Sequence, residues 1–455
     1  MGGINIWIGL DDTDSKSGGC TTYLVNSLLE EFQDFSLVGY PYLVRLNPNI
    51  PWKTRGNGAV CIQLKPNKMK GSKQDNQIST EKLNDCMARI ERIINSDAKL
   101  KDDNTNPGLV ITTQRLPIDL YWSAVRVVVD LDGVKKRLNK LGVRYRGFKK
   151  GRGIIGASAA ISWASNVNAN STINQTINSA QLDYTYELIT YRTPSNWGTP
   201  RKISVEAVIE LDVKFPSTFN NYDQETGHIA ITPNSPCPVL FGVRGESVDE
   251  LREVLGFLEN GSEPVDKWLL FQTNQGTDDH LIPTKISSIQ PFTSVITSGL
   301  VVQPPETISG GHVFFDLTNS SPDIEDQRIT CAAYEPTKGF RKLVRALLPG
   351  DNVQVYGGVR AEPLTINIEK IKLIRLVEKQ IKRHNPRCPN CGRSMKSIGQ
   401  QKGYRCRTCH EKVSNSDATF IVLNRNLAPI TYEVPVAARR HLSKPLKRKK
   451  IRSGH

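Results

Sequence analysis

Residues 4–32, INIWIGLDDTDSKSGGCTTYLVNSLLEEF, decide the fold class. INIWIGL is apolar and β-favouring, DDTDSKSGG interrupts it, and TTYLVNSLLEEF places Leu24, Leu28, Leu29 and Phe32 at helical spacing. The segment therefore predicts strand, turn and helix, an α/β opening. Its turn carries chemistry as well. Asp11, Asp12 and Asp14 fall within four positions at the end of an apolar strand, where their repulsion is costly unless a cation sits among them; magnesium is the natural candidate. Gly18 and Gly19 allow close backbone approach, and a helix beginning near Thr21 aims free N–H groups at whatever anion the metal holds. Metal plus helix N-terminus is a phosphate site. Asp and Gly are also turn residues, and Thr21 or Thr22 could simply cap the helix.

Working outward, AVCIQL (59–64) and SAVRVVVDL (123–131) read as strands, with EKLNDCMARIERII (81–94) as a helix between them. The polar stretches 66–80 and 165–178 are too poor in apolar groups to pack and read as loops or insertions. From residue 184 the pattern changes: strands YELITYR, HIAITP and PVLFGVRG, a helix SVDELREVLGFLEN and a last strand KWLLFQT fit a ferredoxin-like domain whose first helix is not visible. Over 292–378, SVITSGLVV, GGHVFFDL, RITCAAY, DNVQVYGGV and TINIEKIKLIRL are five β-rich runs, with GFRKLVRALL as a helix after the third. That is the OB-fold β-barrel pattern, whose usual ligand is single-stranded nucleic acid. Phe314, Tyr334 and Tyr356 are candidates for a stacking platform or for plain core.

The chain has 455 residues, too many for one core and enough for three or four domains. Hydrophobic residues at 38% and charged residues at 23% are those of an ordinary globular protein, and the absence of a long apolar run or a leader-like N-terminus predicts a cytoplasmic protein with no membrane partner. The net charge is +15, and eight Lys and Arg with no acidic residue lie between Arg439 and Arg452. A basic tail supplying about half the imbalance favours a polyanionic partner, so Arg439, Arg440, Lys447 and Arg448 are expected RNA contacts. Of nine cysteines, Cys388 with Cys391 and Cys406 with Cys409 form two close pairs fourteen residues apart. Four thiolates so spaced predict a structural zinc ribbon, all positions filled, with Arg405 and Arg407 at its knuckles offered to phosphates.

Four further segments, NPNIPWKTRGNGA (47–59), NTNPG (104–108), RYRGFKKGRG (144–153) and TNQGTDDH (273–280), have the composition of loops that bind polar ligands. Lys53, Arg55, Lys150 and Arg152 in them are expected triphosphate or RNA contacts, and His280 a proton carrier or a surface histidine.

Taken together and in order, GLDDTDSKSGGCTT, NPNIPWKTRGNGA, TNQGTDDH, the barrel pattern, the CxxC pairs and YEVPVAARRHLSKPLKR resemble the archaeal tRNA(Ile) 2-agmatinylcytidine synthetase (TiaS) family nearly end to end. The resemblance implies a multidomain α+β protein: a kinase-like catalytic domain (1–178), a ferredoxin-like domain (179–284), an OB fold (285–380), a zinc ribbon (384–415) and a basic tail (416–455). It implies a ligase that uses ATP, Mg2+ and structural Zn2+ to join agmatine to the wobble cytidine of tRNA(Ile) with a CAU anticodon, through a phosphorylated cytidine. Codon specificity thereby changes from AUG to AUA. It assigns Asp11, Asp12 and Asp14 to ATP, magnesium and phosphoryl transfer, and Thr22 to autophosphorylation. The other reading, a non-enzymatic single-stranded nucleic-acid-binding protein, explains the charge but leaves three carboxylates without a use.

Overall fold

A computed structural model describes residues 5–67, 78–168, 182–319, 327–378, 380–399, 402–414 and 419–448. Most of the two polar stretches expected as loops lies outside the described residues. The opening segment forms strand β1 (Ile6–Asp11), a turn and helix α1 (Thr21–Glu31), as its pattern predicts. There follow β2 (Phe35–Leu37), β3 (Tyr42–Arg45), β4 (Gly58–Pro66), α2 (Thr80–Asp97), β5 (Gly108–Thr112), α3 (Asp119–Arg126), α4 (Leu131–Lys140), β6 (Arg144–Gly147) and α5 (Gly153–Val167). β1 lies between β4 and β5, antiparallel to both. Ile6, Ile8 and Leu10 face α1 and α2, whereas Trp7 faces the core under α3 and α5, so both faces of the strand are apolar.

One expectation fails here, and one helix comes unforeseen. SAVRVVVDL is not a strand: Ala124 and Val125 are buried on α3, and Val127 and Val128 form an exposed link to α4. The strand is instead β5, GLVIT, all of it buried, directly after the Asn-Pro turn. α5 has no polar face to reveal it. Small residues and Trp163 are buried on all sides, and this helix packs on β1, β4 and β5.

The second half contains β7 (Thr185–Arg192), α6 (Val205–Lys214), β8 (Thr218–Phe219), a hairpin of β9 (Tyr222–Asp223) and β10 (His228–Ile229), then β11 (Val239–Gly245), α7 (Val248–Glu259) and β12 (Val265–Thr273). α6 is the helix the pattern did not reveal; the Ser204 hydroxyl caps it by accepting from the Ala207 N–H at 3.1 Å. HIAITP gives only the two residues of β10, because Thr232 to Cys237 turn into a cavity wall. β12 pairs antiparallel with β7 on one side and parallel with β3 on the other, through Gln272 opposite Tyr42 and Thr273 opposite Leu43. One ten-stranded sheet therefore runs through both halves.

Beyond it, β13 (Leu281–Pro283) leads into β14 (Ser294–Val301), β15 (Glu306–Thr307), β16 (Val313–Thr318), β17 (Arg328–Ala333), α8 (Phe340–Arg345), β18 (Asn352–Arg360) and β19 (Thr365–Arg375). β14 pairs with both β18 and β16, and β19 joins β18 to β17, so five of these strands close into a barrel. β20 (Gln380–His384) and β24 (Thr419–Val422) pair at the base of an excursion carrying the three short strands β21 (Lys396–Ser397), β22 (Tyr404–Arg405) and β23 (Lys412–Val413). β25 (Thr431–Glu433) then returns to β19.

The last described residues, 434–448, form a strap laid back across the large sheet. Leu442 is buried in the core with Tyr42 and Trp163, and its carbonyl accepts from the Asp278 N–H at 2.8 Å. The expected RNA contacts on this segment are ion-paired within the protein. Arg448 is fully buried between Asp183 and Glu246, Lys447 meets Asp212, Arg439 meets Glu433 at 2.9 Å, and Arg440 meets Glu369 at 3.4 Å. All of these carboxylates except Glu433 are far away in sequence, which is why a run of bare positive charge looked like a tail. No helix among the described residues is long and apolar enough to cross a membrane.

Candidate active site

The two halves of the sheet and the strap enclose a cavity of about 1030 Å³. Asp11, Asp12, Asp14, Thr21, Thr22, Lys53, Arg55 and Arg152 all line it, as does Arg439 from the strap. Gly18, Gly19 and Lys150 do not. Both glycines have positive φ and shape the turn behind the site, where Ser15 and Gly18 form a β-bridge, and Lys150 is exposed to solvent.

Each carboxylate is held differently. Asp11 ends β1 against the first turns of α5, where a Cβ on Gly156 would come 1.9 Å from its Oδ2, so only glycine leaves room for the carboxylate. Burial, then the neighbouring Asp12 charge, pushes the Asp11 carboxyl well above its ordinary range. Asp12 adopts a left-handed φ of 57° and accepts from Thr54 Oγ1 at 3.1 Å and from the Asn106 N–H at 3.0 Å. Burial lifts it to about 6. Asp14 is clasped by Arg55, whose Nε donates to Oδ2 at 2.6 Å; the same guanidinium donates to Gly19 O at 2.7 Å and to Ser235 Oγ at 2.9 Å. Arg55 thus braces the turn rather than offering a free hand to phosphate. Two part-buried carboxyls that resist ionisation side by side are a donor set short of positive charge.

α1 opens into this space. Cys20 at its N-cap is extended and makes no side-chain cap bond, while Thr13 Oγ1 donates to Thr21 Oγ1 at 3.0 Å and Cys20 Sγ lies 3.0 Å from Thr22 Oγ1. Thr21 and Thr22 are not capping the helix, and its first N–H groups keep their capacity for an anion. Sequence reasoning missed the opposite wall: Arg45, Glu187, His228, Arg244 and His441. These residues come from β3, β7, β10, β11 and the strap, and only the fold brings them together. The Arg45 charge, then burial, holds the His441 imidazole well below 6.5. Burial, with Arg440 nearby, lowers the Lys53 ammonium to about 8.

His280 is not a proton carrier for this cavity. It is fully buried elsewhere, with Nε2 3.1 Å from Glu369 Oε2. Its loop is a junction: Asn274 holds both backbone groups of Arg45, Asp278 accepts from Lys370, and Asp279 accepts from the Tyr121 hydroxyl at 2.5 Å.

On the barrel, Phe314 and Tyr334 leave the core side and meet edge to face at 6.0 Å, beside His312 and with Arg360 5.6 Å from the Tyr334 ring. Tyr356 also points outward. In the excursion, the sulfurs of Cys388, Cys391, Cys406 and Cys409 lie within 4.8 Å of one another, and the Thr408 and Cys409 N–H groups point at Cys406 Sγ at 3.4 Å. A tetrahedral zinc needs sulfurs about 3.8 Å apart, so the four residues fit a structural zinc. Arg405 and Arg407 beside it are exposed.

Three family models match the chain: the TiaS TCKD domain over residues 7–150, the TiaS FLD domain over 151–280 and the TiaS C-terminal zinc ribbon domain over 385–427. An isoleucine-tRNA 2-agmatinylcytidine synthetase TiaS of Methanocaldococcus jannaschii is 40% identical over 97% of this chain and 98% of its own length. One from Archaeoglobus fulgidus is 38% identical over 99% of both. A crystal structure of TiaS in complex with its isoleucine tRNA and ATP is similar, with a TM-score of 0.82 at 37% identity over 98% of this chain and 97% of that one. The structure of TiaS with the same tRNA, AMPCPP and agmatine has a TM-score of 0.78 at 35% identity, with the same coverage. With three domain models in order and relatives matching from end to end, the chain belongs to the TiaS family of isoleucine-tRNA 2-agmatinylcytidine synthetases.

Proposed function

We propose that this protein joins agmatine to C2 of the wobble cytidine of the AUA-reading isoleucine tRNA, consuming ATP. The observation that carries the reading is the cavity, where three carboxylates and an uncapped helix N-terminus face each other across a space large enough for a nucleotide and a base. An RNA-binding protein without chemistry gains nothing from cavity carboxylates that repel phosphate.

In this reading the N-terminal sheet is a kinase-like domain, the second half a ferredoxin-like domain, and the barrel an OB fold. The strand order β12-β7-β11-β8 with α6 and α7, and the five-stranded barrel with α8 between its third and fourth sequential strands, support the latter two names. Asp11 and Asp12 would hold magnesium, which would supply positive charge beside the triphosphate oxygens when bound. The α1 N–H groups receive the phosphoryl oxygens, and Arg152 adds charge at the rim. Thr22, buried at the helix start, is the hydroxyl that would accept a phosphoryl group. A cytosine carbonyl oxygen is a poor leaving group until phosphorylated, and the agmatine amine must be neutral to displace it. His441 is the imidazole suited to accept that proton. Bound phosphate would offset the Arg45 and Lys53 charges that depress it, raising its basicity at the moment of need. Phe314, Tyr334, Arg405 and Arg407 are proposed tRNA contacts, and a zinc held by the four cysteines would fix the strands that carry the last two.

The experiment is incorporation of labelled agmatine into the matching tRNA transcript, with each component omitted in turn. Label is expected only when protein, ATP, agmatine and tRNA are all present. Asp12→Asn should abolish it, by at least about a thousandfold, with tRNA affinity near normal. Because burial strains the native carboxylate, this variant should melt no lower than wild type. Full turnover by the variant would refute the assignment.

A further inference from the structure

Trp52 is 48% exposed and lines the cavity. No other ring packs against it among the described residues, whereas Trp7, Trp163 and Tyr121 pair with interior rings. Nor is it simply left on a loose loop. Asn57 Nδ2 donates to Asn47 O at 2.7 Å, Asn49 Nδ2 donates to Thr293 O at 2.8 Å, Lys53 Nζ donates to Pro48 O, and Thr54 bonds Asp12. The segment is fixed on both sides of the indole, which therefore stands at the mouth by construction. Val127 and Val128, at 40% and 43% exposed, line the same cavity and extend the apolar rim. Lys53 and Arg152 border it with positive charge.

A rigid exposed aromatic ring beside cations is the combination that holds an unpaired base, the ring by stacking and the cations by the flanking phosphate. Trp52 is two residues from Thr54, hence within about 7 Å of it along the chain. The reacting base must go deeper, to the carboxylates, so the ring at the mouth meets its neighbour. We propose that Trp52 is a stacking platform for the base next to the reacting cytidine, the adenosine of the CAU anticodon, and that it holds the loop open while the cytidine enters. This rests on the tRNA-modifying reading above.

The test is a cycle across the interface. Trp52→Ala and Trp52→Phe are assayed for agmatine transfer with the normal tRNA and with one lacking the base of that adenosine. Trp52→Ala should raise the KM for tRNA by about 5- to 100-fold with the KM for ATP unchanged, and Trp52→Phe should stay within about threefold. Removing the base should cost wild type a similar factor and Trp52→Ala almost nothing further. Multiplying losses, or no loss in Trp52→Ala, would overturn the proposal, and a raised KM for ATP alone would show that the ring holds adenine of the nucleotide instead. If Trp52→Ala does not fold, the same cycle with Trp52→Leu decides. Failure of the parent reading looks different: wild type then transfers no agmatine at all.

Discussion

Two stretches of this chain carry dense positive charge, and they do opposite things with it. In the ribbon, Arg405 and Arg407 stand exposed on a small scaffold of short strands. In the strap, Arg448 has no solvent exposure and is enclosed by Asp183, Glu246 and the carbonyls of Gly276 and Tyr184. The first charge faces solvent; the second fastens the strap to the second half of the sheet and to the barrel, and the strap carries His441 and Arg439 to the cavity. Charge density alone does not separate the two uses. What separates them is whether a carboxylate, remote in sequence, is waiting in the fold.

The largest expected effect that sharpens this contrast is on stability. Arg448→Ala removes a fully buried guanidinium that binds Asp183, Glu246 and two carbonyls, leaving Lys444 on Asp183, and should cost about 3 to 5 kcal/mol, read by denaturant unfolding, with agmatine transfer falling as the strap loosens. The salt dependence of tRNA binding by the remaining folded protein should not change. A variant that melts like wild type but binds tRNA weakly would reverse the assignment.

Next is the strap's contact with the barrel. Against its own burial, the charges of His280, Arg440 and Lys370 hold the Glu369 carboxyl at about 2, below its ordinary 4.5. A depressed carboxyl gives stability that is present above pH 4.5 and is lost as pH falls from 4.5 towards 2. The unfolding free energies of wild type and Glu369→Gln should therefore differ by roughly 3 kcal/mol at neutral pH and converge in acid. A constant difference across that window would contradict the ion-pair account.

The smallest effect belongs to the ribbon. Arg405→Glu with Arg407→Glu should leave the melting temperature unchanged, weaken tRNA binding by about tenfold and reduce the salt slope by about 2. Loss of stability without loss of affinity would make these residues structural.

The same contrast explains what could be read in advance. β1, the acidic turn and α1 were legible because apolar period, turn residues and charge fall in one short window; so were the barrel strands and the four cysteines. α6, capped by Ser204, and α5, apolar all round, were not, since neither shows the periodicity of a surface helix. β5 hid behind a turn signal, and SAVRVVVDL lent its β-branched residues to a helix end and a link. In the site, every predicted cavity residue on the Asp11 side comes from one of three local segments. Arg45, Glu187, Arg244 and His441 converge from four parts of the chain, and no spacing rule connects them. His280 was misread for the converse reason: its polar neighbours look like a binding loop, but they bond to β3, α3, the barrel and the strap inside the protein.

The central claim is that the acidic turn and the start of α1 receive the triphosphate. Crystals soaked with a non-hydrolysable ATP analogue and manganese test it directly. The account predicts an anomalous peak between Asp11 and Asp12, with the phosphates at the N–H groups of Thr21 and Thr22. An analogue bound elsewhere, with the carboxylates bare, would contradict it.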